Sequence, residues 1–262
     1  MAGDADAIRA SFSVPASGYD LLIGRYLPTL APAFADEAGV RTGMTALDVG
    51  CGPGGLTAEL IARVGADHVA AIDPSEPFVD ACRMSNPGAD VRVGVAEQLP
   101  FADDSFDAAL ACLVVAFMSD ATAGIREMAR VTKPGGVVAA CFWNYERMPL
   151  INTFFRAAAE IDPGQESEAR RLGTQQGQIA ALLGQAGLTD IRESELAATA
   201  HYTGFDDWWS PMPLGVGPPG VFYRSIDAAG REVLRARCFE LLGRPSGAFD
   251  LTAYAWCACG TV

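Results

Sequence analysis

Apolar and polar residues fall into two alternating patterns through the first half of the chain. Nearly unbroken apolar runs recur at 45–49, 69–73, 91–95, 108–115 and 137–143. Each has the length of a strand buried on both faces. Helical spacing fills the intervals, over 56–64, after Pro74-Ser75 as far as Arg83, and over 124–132. Strands alternating with helices predict an α/β fold, doubly wound about a mostly parallel sheet. Lys133-Pro134-Gly135-Gly136 reads as the turn before the fifth strand.

The second half has a different rhythm. Residues 175–186 read as a helix capped by Gly187, and 188–196 as a sixth strand. Over 250–259, Leu251, Ala253, Ala255, Cys257 and Cys259 alternate with Thr252, Tyr254 and Trp256, which predicts a final strand. Between these strands, 197–247 is too long for an ordinary loop. A short aromatic helix is expected at Phe205–Trp209 and a non-regular, Pro- and Gly-rich connection at 211–220. A further helix is expected at 227–242, with Val233, Leu234, Phe239 and Leu241 as its apolar positions. The segment reads as a cap partnered by residues 12–34, with a dimerisation arm as the competing reading.

Leu47-Asp48-Val49-Gly50-Cys51-Gly52-Pro53-Gly54-Gly55 joins the first strand to the first helix. Such a turn lets a ligand reach backbone N–H groups at a helix N-terminus without meeting a Cβ. Gly50-x-Gly52-x-x-Gly55 satisfies a dinucleotide fingerprint, which keeps a nicotinamide or flavin cofactor in play. Two features weigh against pyrophosphate. Asp48 sets a carboxylate near the turn, where it would suit an ammonium group better than a phosphate. Pro53 removes a backbone donor from the middle of the turn. A ligand carrying positive charge, S-adenosylmethionine, fits better. Asp73, about 20 residues beyond the turn at the end of the second strand, suits ribose hydroxyls.

Four motifs in register, L-D-V-G-C-G-P-G-G-L-T, A-I-D-P-S, A-E-Q-L-P-F-A-D-D-S-F-D and R-V-T-K-P-G-G, make the chain resemble a class I S-adenosylmethionine-dependent methyltransferase. The similarity is to the branch typified by the ubiquinone/menaquinone-biosynthesis enzymes, and it spans residues 19–143. It implies a Rossmann-like sheet of seven strands, with the last one antiparallel, and a helical cap. One domain would cover 1–262: N-terminal cap 1–40, cofactor-binding core 41–196, cap insertion 197–247 and final strand 248–262. By the same resemblance Gly50, Cys51, Gly52 and Gly54 line the methionine moiety, and Asp48 helps hold its amino end. Asp73 takes the ribose, Pro74 and Ser75 lie near the adenine, and Ala96 meets the adenine edge through its N–H. Ala111, Cys112 and Leu113 lie near the sulfonium, and Tyr19 and Arg25 close over the cofactor carboxylate. Many relatives carry Asp where this chain has Val95. Glu97 then either substitutes as the adenine acceptor or the contact is lost.

Composition narrows the partners. A formal charge of −13 and the lack of any basic run argue against nucleic acid or an anionic membrane as substrate. No apolar stretch of about 20 residues and no cationic leader is present, so a cytoplasmic protein is expected. Seven cysteines, an odd number scattered through the expected core, suit buried thiols in a reducing compartment. Cys257-x-Cys259 would share one strand face, but without further ligands no metal is expected.

Methyl transfer by in-line attack on a sulfonium needs mainly position and exclusion of water, with a base where the nucleophile demands one. Only two histidines exist. His68 precedes the second strand and reads as structural, so His201 is the candidate base. Trp143 and Asn144, after the fifth strand, and Trp208 and Trp209, in the cap, are candidate contacts for a small-molecule acceptor, with ordinary packing as their bland alternative. S-adenosylhomocysteine would be the product. Three rivals remain: cofactor binding without transfer, non-methylating chemistry on the same cofactor, and an NAD-dependent oxidoreductase.

Overall fold

The computed structural model describes residues 16–163 and 171–262, so the expected N-terminal cap before residue 16 lies outside the described residues. Its strands are β1 (Ala46–Val49), β2 (Val69–Asp73), β3 (Asp90–Val93), β4 (Phe106–Cys112), β5 (Thr132–Trp143), β6 (Thr189–Tyr202) and β7 (Phe249–Thr261). They form one seven-stranded sheet in the order β3-β2-β1-β4-β5-β7-β6. β1 to β5 pair in parallel, and β7 runs antiparallel to both of its neighbours, β5 and β6. The α/β, doubly wound, mostly parallel sheet with an antiparallel last strand is the one expected.

Burial follows the sequence pattern. Every residue of β1 and β2 is buried, which explains why these strands read as unbroken apolar runs. Helices α1 (Ala16–Leu22), α2 (Leu27–Glu37), α3 (Gly55–Val64), α4 (Glu76–Ser85), α5 (Ala121–Val131), α6 (Pro149–Ile161) and α7 (Gln178–Gln185) accompany the sheet. The start of α5 is set by Asp120, whose side chain accepts from Ala123 N at 3.0 Å. Its buried residues Ile125, Met128 and Val131 fall at helical spacing. The cap holds α8 (Phe205–Trp209), α9 (Gly217–Ser225) and α10 (Ala228–Leu241), and α10 packs against α6.

Three expectations change. β6 does not stop at Leu196 but continues to Tyr202, paired with β7 along its length as far as Phe249. Ala198, Ala200 and Tyr202 point inward, while Ala197, Thr199 and His201 point to solvent. His201 is therefore a strand residue on the solvent face and does not open the cap. The connection at 211–220 is not wholly irregular. It contains a 3₁₀ turn at Met212–Leu214 and the start of α9, whose first-turn prolines lose no helical hydrogen bond. Finally, α6 begins at Pro149 in a stretch given no element by the pattern; Leu150, Phe154, Ala157 and Ala158 are buried along one stripe.

Candidate active site

The strand order reverses at β1, which pairs with β2 on one side and β4 on the other. Beyond the carboxyl ends of strands at such a switch point lies the ligand crevice of an open α/β sheet. The glycine turn leaves β1 there. Gly50 adopts φ +74°, and a Cβ on it would lie 2.4 Å from Val114 Cγ2. Gly54, the N-cap of α3 at φ +102°, would bring a Cβ within 2.3 Å of Asn86 Nδ2 and 2.8 Å of Cys82 Sγ. Only glycine satisfies both the backbone and the space at these two positions.

A cavity of about 340 Å³ opens in front of this turn. Its wall includes Tyr19, Gly50, Gly52, Asp73, Pro74, Ser75, Phe78, Ala96, Glu97 and Cys112. Asp73 is the buried carboxylate of the site. One oxygen accepts from Gly52 N at 2.9 Å and the other from Ser75 N at 2.8 Å. Burial raises its pKa, and the two N–H donors pull against that rise. Each oxygen keeps a second acceptor position. Glu97 turns one oxygen to Ser119 N at 2.5 Å and Asp120 N at 3.1 Å, tying the wall to the start of α5. Burial pushes the Tyr19 phenol far above its usual value, and nearby Cys112 and Asp73 add to the effect. At neutral pH it is a donor and no base.

A second, smaller cavity of about 80 Å³ adjoins the first. Tyr19, Leu113 and Phe117 border both. Leu113 holds φ +62°, an uncommon conformation for a leucine, and its N–H donates to Cys141 O at 2.9 Å. Leu22, Ile23, Phe142, Trp143, Met148, Ile151 and Phe155 supply apolar wall, and Val216, Gly217, Pro218 and Pro219 of the cap also line it.

Several residues singled out by sequence stand elsewhere. Asp48 is fully buried beneath the turn and lines neither cavity. Its Oδ2 accepts from Thr57 Oγ1 at 2.7 Å, its Oδ1 has no partner among the described residues, and burial pushes its pKa up to about 8. Arg25 is engaged by Asp207 at 3.1 Å and lies 4.5 Å over the Tyr202 ring, so it braces α8 against the N-terminal segment. Cys51, Gly54 and Ala111 border neither space. Asn144 donates to Glu195 Oε1 at 2.7 Å, which ties the end of β5 to β6. Trp208 and Trp209 stack with Phe205 at 5.7 and 6.3 Å inside the cap. His201, 65% exposed, pairs with Asp250 at 2.7 Å and reaches neither cavity. The register of β6 thus sets the candidate base on the solvent face, outside both cavities. Conversely, Phe78, Phe117, Ile151, Phe155 and Arg171 line the cavities without having been singled out. The helical spacing of Ile151 and Phe155 in α6 was the one available signal, and only the tertiary fold turns that pair toward the site.

A family model described as a methyltransferase domain matches residues 47–140. The chain is 30% identical over 179 residues to a demethylmenaquinone methyltransferase of Desulfitobacterium hafniense, covering 60% of this chain and 70% of that protein. The chain belongs to the class I S-adenosylmethionine-dependent methyltransferases, in the type 11 branch. It is also 32% identical over 135 residues to a malonyl-[acyl-carrier protein] O-methyltransferase of Yersinia pestis, covering 52% and 49% of the two chains. In fold, this methyltransferase resembles a SAM-dependent methyltransferase of Thermotoga maritima, with a TM-score of 0.54, 16% identity and 93% of each chain covered. Membership in this family sets aside the dinucleotide reading of the glycine turn.

The residues present fit the family's cofactor, S-adenosylmethionine. A buried carboxylate with acceptor capacity in hand, a turn that only glycine can make and a cavity within the range of about 300–1,000 Å³ usual for small ligands all meet at one place. None of the helices among the described residues is long and apolar enough to cross a membrane.

Proposed function

We propose that the enzyme methylates a small, largely apolar acceptor held in the smaller cavity while the cofactor occupies the larger one. The observation that carries this reading is the shared border: Tyr19, Leu113 and Phe117 face both spaces, so two ligands there would meet. When bound, S-adenosylmethionine supplies an electrophilic methyl group. Asp73 would hold the ribose hydroxyls, Gly50 and Gly52 the amino-acid portion, and Pro74, Ser75, Ala96 and Glu97 the base. Cys112 and Leu113 would border the reacting methyl. Residues 203–248, together with α1, would act as the cap that keeps water out.

No carboxylate or imidazole lines the smaller cavity among the described residues. The acceptor therefore brings a nucleophile that needs no protein base, and the chain contributes orientation and desolvation. Well-oriented reactants can supply about 7–11 kcal/mol of the barrier in this way. The name of the D. hafniense relative points to an apolar acceptor, in keeping with these walls.

The test fills the smaller cavity. Ile151→Trp should abolish S-adenosylhomocysteine release on any acceptor found by screening, while S-adenosylhomocysteine still binds with wild-type affinity. A variant that keeps turning over would remove the acceptor role of this cavity. Cofactor binding with no product on any acceptor would favour a non-methylating role.

A further inference from the structure

We propose that Cys112 and Cys141 form a reversible disulfide when a peroxide-class oxidant enters the larger cavity, and that this bond closes the cavity to S-adenosylmethionine. The proposal rests on the larger cavity being the cofactor site. Cys112 ends β4, lines that cavity and keeps 8% of its surface exposed. Cys141 lies opposite it on β5 and is fully buried. The Cys141 thiol donates to Cys112 Sγ at 3.7 Å.

The sheet holds the pair ready. The two residues are register partners on neighbouring parallel strands, so both side chains leave the same face. A strand spacing of about 4.8 Å lies inside the range of about 4.4–6.8 Å between α-carbons that a disulfide spans. Leu113 N donates to Cys141 O at 2.9 Å, which pins the strands together beside the pair. Cys257 stands opposite Cys141 on β7 but borders neither cavity. An oxidant arriving through the larger cavity therefore meets Cys112 first.

One peroxide suffices for the two thiols. The Cys112 sulfur attacks hydrogen peroxide, the O–O bond breaks, and Cys112 becomes a sulfenic acid as one water leaves. The Cys141 sulfur then attacks the sulfenic sulfur. The S–O bond breaks, the S–S bond forms, and the hydroxyl departs with the Cys141 proton as a second water. Burial, assisted by the Cys112 sulfur, keeps the proton on Cys141, which would make it a slow thiol in a chance encounter. Permanent contact with its partner replaces that encounter. Closing the sulfurs from 3.7 Å to about 2 Å draws Cys112 toward β5. Leu113, next in the chain, held at φ +62° and bordering both cavities, shifts with it. A bound cofactor would cover Cys112, so occupancy and oxidation oppose each other.

The experiment treats the full chain with hydrogen peroxide, with and without saturating S-adenosylhomocysteine, then blocks free thiols and maps tryptic peptides without reduction. Peptides 93–126 and 131–147 each contain one of the two cysteines and no other. They should appear linked after oxidation and separate again after dithiothreitol. Saturating S-adenosylhomocysteine should slow the linkage at least about tenfold. In isothermal titration the linked protein should bind S-adenosylhomocysteine at least about tenfold more weakly than the reduced protein, and dithiothreitol should restore the affinity. Cys141→Ala should bind like the reduced wild type, form no linked peptide and leave Cys112 as a sulfenic acid that dimedone traps. Unlinked peptides in the wild type, a link to another cysteine instead, or a linked protein of unchanged affinity would overturn the proposal alone. That wild-type comparison stands even if the variant folds poorly. Failure of the reduced wild type to bind S-adenosylhomocysteine would strike the cofactor reading of the cavity, and the proposal with it.

Discussion

Asp48 should make the enzyme less stable as pH rises toward 8, and Asp48→Asn should remove that dependence. The carboxyl is fully buried, with one oxygen bonded to Thr57 and the other without a partner among the described residues. Burial lifts its pKa from 3.8 in the unfolded chain to about 8 in the fold. Between those values the native state holds a proton that the unfolded state has released. Stability from this group is therefore complete below about pH 4 and lost as pH climbs through about 8, by up to about 1.4 kcal/mol per pH unit. Asp73, also raised by burial, acts in the same direction. Asp107, Glu127 and Asp207 have lowered values, so their contributions disappear only in acid, below the window that matters here. Urea unfolding followed by tryptophan fluorescence, at about pH 5.5 and about pH 7.5, should show the wild type losing about 2–3 kcal/mol more than Asp48→Asn across that interval. The absolute stability of Asp48→Asn will shift because a buried amide replaces the carboxyl, but the slope is the quantity read. Parallel pH profiles for the two proteins would refute the assignment of a protonated, buried Asp48.

Other substitutions probe the site from different sides. Asp73→Ala should weaken S-adenosylhomocysteine binding by about 1.5–3 kcal/mol in isothermal titration, the worth of hydrogen bonds to a charged group, and unchanged affinity would sink the ribose assignment. Gly50→Ala must place a Cβ 2.4 Å from Val114 Cγ2 at φ +74°, so it should lower the melting temperature and cofactor affinity together. Adding Val114→Ala should recover only the steric part, leaving about 1–2 kcal/mol of backbone strain. His201→Ala should leave cofactor affinity and turnover unchanged, since the side chain is 65% exposed and pairs with Asp250 away from both cavities. A large loss of turnover with intact cofactor binding would return His201 to the list of bases.

What could be read from the chain alone was whatever is encoded locally. The apolar runs of β1 and β2, the glycine turn between strand and helix, and Asp73 at a strand end all declare themselves within a few residues, because strand burial and turn geometry act over that range. The alternation of Ala198, Ala200 and Tyr202 with Thr199 and His201 was equally present, and it already set the histidine on the solvent face. Direction and company were the parts that needed the fold. Asp48 sits one residue before Val49 and two before Gly50, but whether its carboxylate meets a ligand or Thr57 depends on how α3 packs beneath the turn. Arg25 gains its role only because β6 and α8 bring Asp207 beside it, 182 residues away. The smaller cavity is the extreme case, assembled from α1, the ends of β4 and β5, α6, the turn at Arg171 and the start of α9. In sequence its Leu, Ile, Phe and Trp residues look the same as core, since burial against protein and burial against a ligand select the same side chains. Tertiary packing alone decides which apolar residues are left facing an opening.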